Sequence, residues 1–275
     1  MSDAYSHFDF SGKSVLVSGA ASGIGREVAR AFHLSGAKVL ATDVDGSGLE
    51  SLTSELGTPC QSLVTDVTNE AQVESAVKAV VKKFGRLDVC LNCAGAGGSQ
   101  PLLEMEESFW DWNVDLNLKG FFFCIKHQGR QFRQQGGGGV IVNITSVTAT
   151  INAAGLTPYA AAKAGANKLT EMAADELRHL GIRVVAIAPG LIKTPATEKI
   201  NNTPEIMNEF KISIPSGRIG ETSEIAHTAL FLASDGAAYI NGTIVHVDGG
   251  LGIYGVQPDL SNVREYYRSR GSKDS

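Results

Sequence analysis

Short, nearly continuous apolar runs alternate along the chain with longer segments in which apolar residues recur at helical spacing. Such runs predict strands that are buried on both faces, as in a parallel sheet. The predicted strands cover residues 14–19, 38–43, 61–66, 87–92, 140–145, 183–189 and 243–249. The predicted helices cover residues 23–35, 47–56, 69–84, 106–134, 158–180 and 222–234.

This alternation predicts an α/β fold, namely a single-domain, doubly wound (Rossmann) parallel sheet of about seven strands with helices on both faces. No linker is long enough to separate two domains, so residues 1–250 are expected to form one domain. The regular units stop near Gly250 and leave a polar C-terminal tail, 251–275.

Composition narrows the class of protein. The 275 residues are 43% hydrophobic and carry a net charge of −5, which gives no sign of a nucleic-acid-binding surface. The N-terminus lacks an apolar signal region and no run of about 18 apolar residues occurs, so we expect no membrane span and a cytoplasmic location.

The four cysteines include a lone C-x-x-C pair, Cys90 and Cys93. A redox pair or half of a metal site is one interpretation. The other is a small hydrophobic residue in a buried strand, at least for Cys90. A zinc site would need a second ligand pair, and none has suitable spacing, so no metal is predicted.

A glycine-rich stretch, SGAASGIG, joins the first predicted strand to the first helix. Gly19, Gly23 and Gly25 would let backbone N–H groups approach a pyrophosphate at the positive end of a helix. The spacing is G-x-x-x-G-x-G rather than G-x-G-x-x-G, and a purely structural turn is the alternative.

Asp43 ends the second predicted strand, 18 residues after Gly25. An acidic residue there can accept a ribose 2′-hydroxyl and repel a 2′-phosphate, which favours NAD as the cofactor. The alternative is that Asp43 only caps the following turn. The next residue is Val44, so no adjacent basic residue could bind a 2′-phosphate.

Tyr159 and Lys163 lie four residues apart in PYAAAK and would share one helical face. A surface helix with solvated side chains is one reading, and a tyrosine with a pKa lowered by a cation is the other. Six motifs, SGAASGIG, LNCAGAGG, DLNLKG, VNITS, YAAAK and IAPGLIKT, together resemble the short-chain dehydrogenase/reductase family. The resemblance covers roughly residues 10 to 250.

The resemblance implies roles for four catalytic residues. Tyr159 would donate or accept the proton, and Lys163 would favour the phenolate and bind the nicotinamide ribose. Ser146, 13 residues before Tyr159, would bind the substrate oxygen, and Asn117 would hold a water in a proton relay to Lys163. Cys93 replaces the second Asn of the family's N-N-A-G motif and cannot supply an amide's hydrogen bonds.

The carboxyl ends of the predicted strands would line the cofactor site. The residues expected to bind the cofactor are Gly19, Ser22, Gly23, Ile24, Gly25, Asp43, Asp66, Val67, Asn92, Ala94, Gly95, Tyr159, Lys163, Pro189, Gly190, Ile192 and Thr194.

The substrate site is expected beside the nicotinamide, under a lid at 191–215, which is the longest stretch without a predicted element. The residues expected to bind substrate are Gly97, Ser146, Val147, Thr148, Ala153, Tyr159, Leu191, Met207 and Phe210. Met207 and Phe210 are three apart and could point inward together. Most of the set is small or apolar and none is charged, which favours a neutral, largely apolar, cyclic or aromatic substrate.

Three functions remain open. The first is an NAD-dependent dehydrogenase or ketoreductase that interconverts a secondary alcohol and a ketone. The second is a non-catalytic, NAD-binding regulatory protein, since a fold alone permits either. The third is a ketoreductase acting on acyl thioesters of a carrier protein, for which Lys126, Arg130, Arg133 and Arg178 could form a basic docking face. A solvated helix face is the preferred interpretation of these four charges. Asp43 weighs against the third, because biosynthetic reductases of the family usually use the phosphorylated cofactor.

The resemblance also implies a homotetramer. The predicted helix 106–134 and the helix bearing Tyr159 are the expected contact faces, and residues 243–249 offer an edge strand. Two alternatives remain for the tail: Tyr254, Tyr266 and Tyr267 pack on a neighbouring subunit, or the last residues are disordered.

Overall fold

The computed structural model describes Tyr5 and residues 7–254. Its core is one sheet of seven strands, all paired in parallel. The strands are β1 Ser14–Ser18, β2 Lys38–Asp43, β3 Gln61–Val64, β4 Val89–Asn92, β5 Gly139–Ile144, β6 Ile182–Pro189 and β7 Ile244–Val247. The predicted doubly wound sheet is therefore confirmed, with each strand within about two residues of its predicted position.

The strand order is β3-β2-β1-β4-β5-β6-β7. The chain starts at the centre, winds outward to β3, and then crosses to the other side of β1. This reversal between β1 and β4 opens a crevice at the carboxyl ends of the strands, where doubly wound sheets bind their ligands.

Ten α-helices occur among the described residues. They are α1 Gly23–Leu34, α2 Gly46–Leu56, α3 Glu70–Phe84, α4 Glu107–Val114, α5 Gly120–Gln135, α6 Thr157–Leu177, α7 Glu198–Asn201, α8 Pro204–Ser213, α9 Thr222–Ala233 and α10 Leu251–Tyr254. Buried side chains of α1, α2 and α9 pack on one face of the sheet, and those of α3, α5 and α6 on the other.

The predicted helix 106–134 is interrupted by a π-helical turn, Asp115–Lys119. In that turn, Asn117 Nδ2 donates to the Asn113 carbonyl at 3.0 Å, one turn earlier, and to the Ala96 carbonyl at 2.7 Å. A buried amide that bonds backbone in this way competes with the helical ladder, and π turns are frequent at functional sites. The apolar spacing of the sequence carries no sign of it.

Two further boundaries differ from the sequence-based prediction. The Tyr159 helix ends as an α-helix at Leu177 and continues only as a 3-10 turn, Arg178–Leu180, before Gly181 in the left-handed region. The lid at 191–215, expected to be irregular, is largely helical: it contains a 3-10 turn, Pro195–Thr197, followed by α7 and α8. Pro204 at the start of α8 suits a first helical position.

Within the part of the chain that the structure describes, no helix has the length and apolarity to cross a bilayer. The same part holds no group of three or more His, Cys, Asp or Glu side chains that could bind a metal ion.

Candidate active site

A cavity of about 520 Å³ opens at the carboxyl edge of the sheet, where the strand order reverses. Most of the residues predicted from the sequence line it. They are Gly19, Ser22, Gly23, Ile24, Gly25, Asp43, Asp66, Val67, Ala94, Gly95, Gly97, Ser146, Val147, Thr148, Tyr159, Lys163, Pro189, Gly190, Leu191, Ile192, Thr194 and Phe210. The fold thus brings most of the predicted cofactor residues and three of the four predicted catalytic residues to one place.

The glycine-rich turn forms the cavity wall between β1 and α1. Gly19 has φ +69°, and a Cβ there would lie 2.6 Å from the Ala94 backbone nitrogen. A Cβ on Gly25 would lie 2.0 Å from the Gly19 carbonyl oxygen. Both positions exclude any side chain, because backbone approaches backbone there.

The N-terminus of α1 is the part of this turn that suits an anion. Its N-cap residue, Ser22, makes no side-chain capping hydrogen bond, and the first helical bond runs from the Arg26 N–H to the Ser22 carbonyl. The N–H groups of the first turn therefore have no helical acceptor and lie beside the cavity. A pyrophosphate fits such a cradle.

Asp43 reaches the cavity from the end of β2. Its carboxylate accepts the N–H of Ala21 in the glycine-rich turn and the N–H of Asp45, each at 3.0 Å. Asp43 therefore caps the next turn, which was the alternative interpretation of this residue, and it also faces the cavity. Val44, which follows, is 66% exposed and adds no positive charge.

Arg26 lies close to this turn but is already bound. Its guanidinium donates to Glu55 at 2.8 Å, to Ser51 and to the carbonyls of Ala21 and Gly48. Among the described residues that line the cavity, Lys163 is the only basic one.

Tyr159 and Lys163 project from the start of α6, one helical turn apart. Lys163 is only 2% exposed. Its Nζ donates to the Ile144 carbonyl at 2.9 Å and lies 4.7 Å from the centroid of the Phe121 ring. The Nζ is 5.6 Å from the centroid of the Tyr159 ring. The pair is thus part of a buried site and not of a solvated helix face.

Burial dominates the titration of both groups. It lowers the pKa of Lys163 to about 7 and raises the pKa of Tyr159 above its ordinary value, while a hydrogen bond with Ser146 lowers the latter. The expected net lowering of the Tyr159 pKa by the lysine charge is therefore wrong for the ligand-free site. At neutral pH, Tyr159 is protonated and Lys163 is partly neutral.

Ser146 is oriented by Thr148. The Ser146 Oγ accepts the N–H of Thr148 at 3.2 Å and its hydroxyl at 2.9 Å. A hydroxyl has two acceptor lone pairs and one hydrogen, so these contacts leave the Ser146 hydrogen available to another oxygen. Ser146 acts in this way on the Tyr159 phenol, whose pKa it lowers.

Asn117 lies behind the cavity wall, buried next to Lys163. A Cβ at Gly95 would lie 2.9 Å from Asn117 Oδ1 and 3.0 Å from Lys163 Nζ, so both groups press against this glycine. Asn117 Oδ1 is buried and accepts no hydrogen bond. An orphaned buried acceptor suits an ordered water.

Three other predicted residues do not reach the cavity. Asn92 is buried beneath it, with its amide bonded to Gln128 and Asn143. Ala153 is buried without lining it. Met207 is half-buried, whereas Phe210 turns into the apolar cluster under the lid, so the two do not point inward together.

Sequence reasoning missed several lining residues. They are Val44, Thr65, Leu116, Ile144, Thr145, Leu156, Pro195, Ala196 and Thr197. Val44, Thr65, Leu116, Thr145 and Pro195 lie directly beside predicted residues, so adjacency could have indicated them. Leu156 carries no such signal.

Cys93 is a free thiol that lines the cavity, and Cys90 is a free, buried one. Burial raises the pKa of Cys93 to about 12, against a smaller effect of Lys163. A thiol held neutral in this way is a poor nucleophile. Of the two interpretations of the C-x-x-C pair, this favours small hydrophobic residues over a redox pair.

Comparison with known proteins gives consistent matches. Residues 19–252 match a family described as enoyl-(acyl carrier protein) reductase. The chain is 42% identical over 244 residues to the 3-oxoacyl-[acyl-carrier-protein] reductase of Thermotoga maritima, covering 87% of this chain and 98% of the relative. It is 37% identical over 244 residues to a (2S)-[(R)-hydroxy(phenyl)methyl]succinyl-CoA dehydrogenase subunit of Thauera aromatica, covering 87% and 96%. Its fold matches a short-chain type dehydrogenase/reductase from Mycobacterium ulcerans with TM-score 0.90 and 33% identity, covering 94% and 96%.

Proposed function

The chain belongs to the short-chain dehydrogenase/reductase family, and we propose that it is an NAD(H)-dependent oxidoreductase that interconverts a secondary alcohol and a ketone. The observation that carries this proposal is the cluster of buried Ser146, buried Lys163 and half-buried Tyr159 on the wall of the cavity. A non-catalytic, NAD-binding role would not require these three groups to meet beside the cofactor cradle.

A nicotinamide dinucleotide fits the cavity on the chain's own features. The open N–H groups at the start of α1 suit its pyrophosphate, and the Asp43 carboxylate suits a ribose hydroxyl. Lys163 would bind the nicotinamide ribose, as the family resemblance implies. The bound cofactor would supply the hydride acceptor or donor, and the protein supplies position and proton handling.

Proton handling follows from the protonation states. Tyr159 is protonated at neutral pH, so in the reductive direction it can donate directly to the oxygen of a bound ketone. Ser146, with its oxygen occupied by Thr148, has a hydrogen to donate to the same substrate oxygen. Two donors then converge on the position where negative charge develops.

In the oxidative direction Tyr159 must first lose its proton. We propose that Lys163 assists, because a pKa near 7 lets it gain and lose a proton at neutral pH. A water held by Asn117 Oδ1 would exchange the proton with Lys163, because Asn117 Oδ1 and Lys163 Nζ both lie against Gly95. Asn117 then acts through Lys163 and need not touch the cavity.

We predict that NAD is preferred over NADP, because Asp43 repels a 2′-phosphate and Arg26 is bound to Glu55. Asp43→Ala should reduce the ratio of kcat/KM for NAD over NADP by at least about tenfold, on the scale of one close charge pair. The matched control is Asp45→Ala, which removes an equal charge two residues on, outside the cavity lining. Higher efficiency with NADP in the unmodified chain would refute the assignment.

The substrate end of the cavity is apolar. Val147, Leu191, Ile200 and Phe210 line it and belong to one cluster under the lid. An anionic substrate would call for a basic residue of the lid, but Lys193 and Lys199 do not line the cavity. We therefore propose a neutral, largely apolar, cyclic or aromatic alcohol or ketone. The phenyl-bearing substrate in the name of the Thauera aromatica relative agrees with an aromatic group.

This proposal is tested by a panel of neutral cyclic and aryl alcohols, sugars, hydroxy acids and hydroxyacyl thioesters, assayed with NAD. We expect the highest kcat/KM with a neutral cyclic or aryl alcohol. Phe210→Ala should then raise KM for the best substrate, because apolar contact is lost. Met207→Ala is the matched control on the same helix. A sugar or charged hydroxy acid as the best substrate would refute the pocket assignment.

A second candidate function is reduction of acyl thioesters, which the names of the two relatives favour. The structure gives less support to the basic face that would dock a carrier protein. Lys126, Arg130 and Arg133 line a groove between α5 and α6, which shares no lining residue with the reaction cavity. Arg178 pairs with Asp175 beside a different cavity, on the opposite edge of the sheet. The thioesters in the panel decide between the two functions.

We further propose a homotetramer. The groove between α5 and α6 is lined by Ile125 and Leu169 and leaves Phe122 and Met172 exposed, and β7 is an edge strand. These are the faces expected from the sequence. We predict a tetramer by light scattering at micromolar concentration and a smaller assembly for Met172→Glu, with Lys78→Glu on α3 as the control. A monomeric unmodified chain would contradict the prediction.

A further inference from the structure

An acidic and aromatic surface lies beside the mouth of the cavity, on residues 102–112. Its apolar side chains include Leu103, which is 93% exposed, Trp110 at 39% and Trp112 at 44%. Glu104, Glu106, Glu107 and Asp111 are exposed around them, and none forms an ion pair with another described residue. No basic residue interrupts the stretch. We call this surface the acidic aromatic face.

Exposed aromatic rings within a cluster of unpaired carboxylates indicate a surface that is covered by something basic and apolar. The chain itself contains a segment of that character beyond the described residues. Residues 263–270, VREYYRSR, carry Arg264, Arg268 and Arg270 against a single Glu265, together with two tyrosines. This segment complements the face in both charge and aromatic content.

The last described residues, Leu251–Tyr254, lie close to the mouth of the same cavity. Leu251 is fully buried in the cluster that holds Phe210 and Val147, so α10 is fixed at the lid side of the cavity. The acidic aromatic face is linked to the cavity lining through 97–100: Gly97 packs on the Tyr159 ring, a Cβ on Gly98 would meet the Phe109 ring at 3.2 Å, and the Gln100 N–H donates to the Gly155 carbonyl. Eight residues lie between Tyr254 and Val263, enough to span up to about 30 Å.

We propose that residues 263–270 dock on the acidic aromatic face of their own chain. Arginine side chains would pair with the carboxylates and stack on Trp110 and Trp112. A second copy or an unrelated basic partner could also cover such a face, and the test separates these from the tail.

The test uses tryptophan fluorescence, because Trp110 and Trp112 are the chain's only two tryptophans and both lie on this face. In a chain that ends at Tyr254, we expect the emission to shift to longer wavelength and acrylamide quenching to rise relative to the full chain. Arg264→Gln, Arg268→Gln and Arg270→Gln combined should produce the same change without truncation. Lys78→Gln, Lys82→Gln and Lys168→Gln combined is the matched control and should change neither signal.

Salt and dilution complete the test. Raising salt from about 0.1 M to 1 M shortens the Debye length from about 10 Å to 3 Å, so the full chain should move towards the truncated one. A free peptide of residues 259–275 should restore the signal of the truncated chain only near millimolar concentration, as expected for a contact that is normally tethered. Identical fluorescence in full and truncated chains, or a signal that changes on dilution of the full chain, would overturn the proposal.

Discussion

Tyr159→Phe should lower kcat by at least about 10²-fold and leave the dissociation constant for NAD nearly unchanged. The reason is that the substitution removes the phenolic proton and little else. The ring keeps its packing against Gly97, and Lys163 keeps its hydrogen bond to the Ile144 carbonyl. The cofactor cradle at the start of α1 lies on another element and is untouched.

The measurement is steady-state turnover together with NAD binding by calorimetry. Tyr239→Phe is the matched control, since Tyr239 is fully exposed and lies outside the cavity. It should match the unmodified chain in both assays. Near-normal turnover in Tyr159→Phe would mean that another group moves the proton and that the assignment of this site is wrong.

Lys163→Met should damage turnover and NAD binding together. It removes the cation beside Tyr159 and the proposed donor to the nicotinamide ribose. A hydrogen bond from a charged group contributes about 1.5–3 kcal/mol, so NAD binding should weaken by about ten- to a hundredfold. The control is Lys168→Met, five residues on in the same helix, where the side chain is exposed and pairs with Glu171. Loss of turnover with unchanged NAD affinity would contradict the ribose role.

The same variant tests the burial of the ammonium group. The pKa of Lys163 is about 7 in the folded chain, against 10.5 as its ordinary value. Between these values the unfolded chain binds the proton and the folded chain does not, so folding is favoured as pH rises. Below pH 7 both states are protonated and the cost of the buried charge is fully present.

The free energy of unfolding of the unmodified chain, relative to Lys163→Met, should therefore rise from pH 7 towards pH 10.5. The slope has an upper limit of about 1.4 kcal/mol per pH unit. Denaturant titrations of both ligand-free chains at several pH values in this window measure it. Comparison with the variant cancels the thiols, whose raised pKa values act in the opposite direction. A difference independent of pH would show that Lys163 is not buried as described.

The sheet and the catalytic edge could be predicted because each strand is a short, nearly continuous apolar run that ends in glycine or a polar residue. The end of β2 at Asp43 and the glycine-rich turn after β1 then necessarily meet at one edge, since all strands run parallel. Ser146, Tyr159 and Lys163 required the family motifs, because their meeting depends on how α6 packs on β5.

Other features depend on tertiary contacts that no local pattern records. The π turn at Asn117 accompanies a hydrogen bond from its amide to the carbonyl of Ala96, a residue that lines the cavity. Met207 and Phe210 have helical spacing, but only Phe210 faces the body of the protein. The raised pKa of Tyr159 comes from burial, which a sequence containing a neighbouring lysine does not show.

The central claim is that a hydride moves between the carbinol carbon of a secondary alcohol and NAD in the site of Tyr159. The most direct measurement incubates the chain with NAD and the best alcohol of the panel, deuterated at the carbinol carbon, and determines the isotope content of the reduced nicotinamide. We predict deuterium in the nicotinamide of the unmodified reaction, an equal amount of ketone, and neither product above background with Tyr159→Phe. Reduced nicotinamide without deuterium, or undiminished deuterium transfer with Tyr159→Phe, would contradict the account.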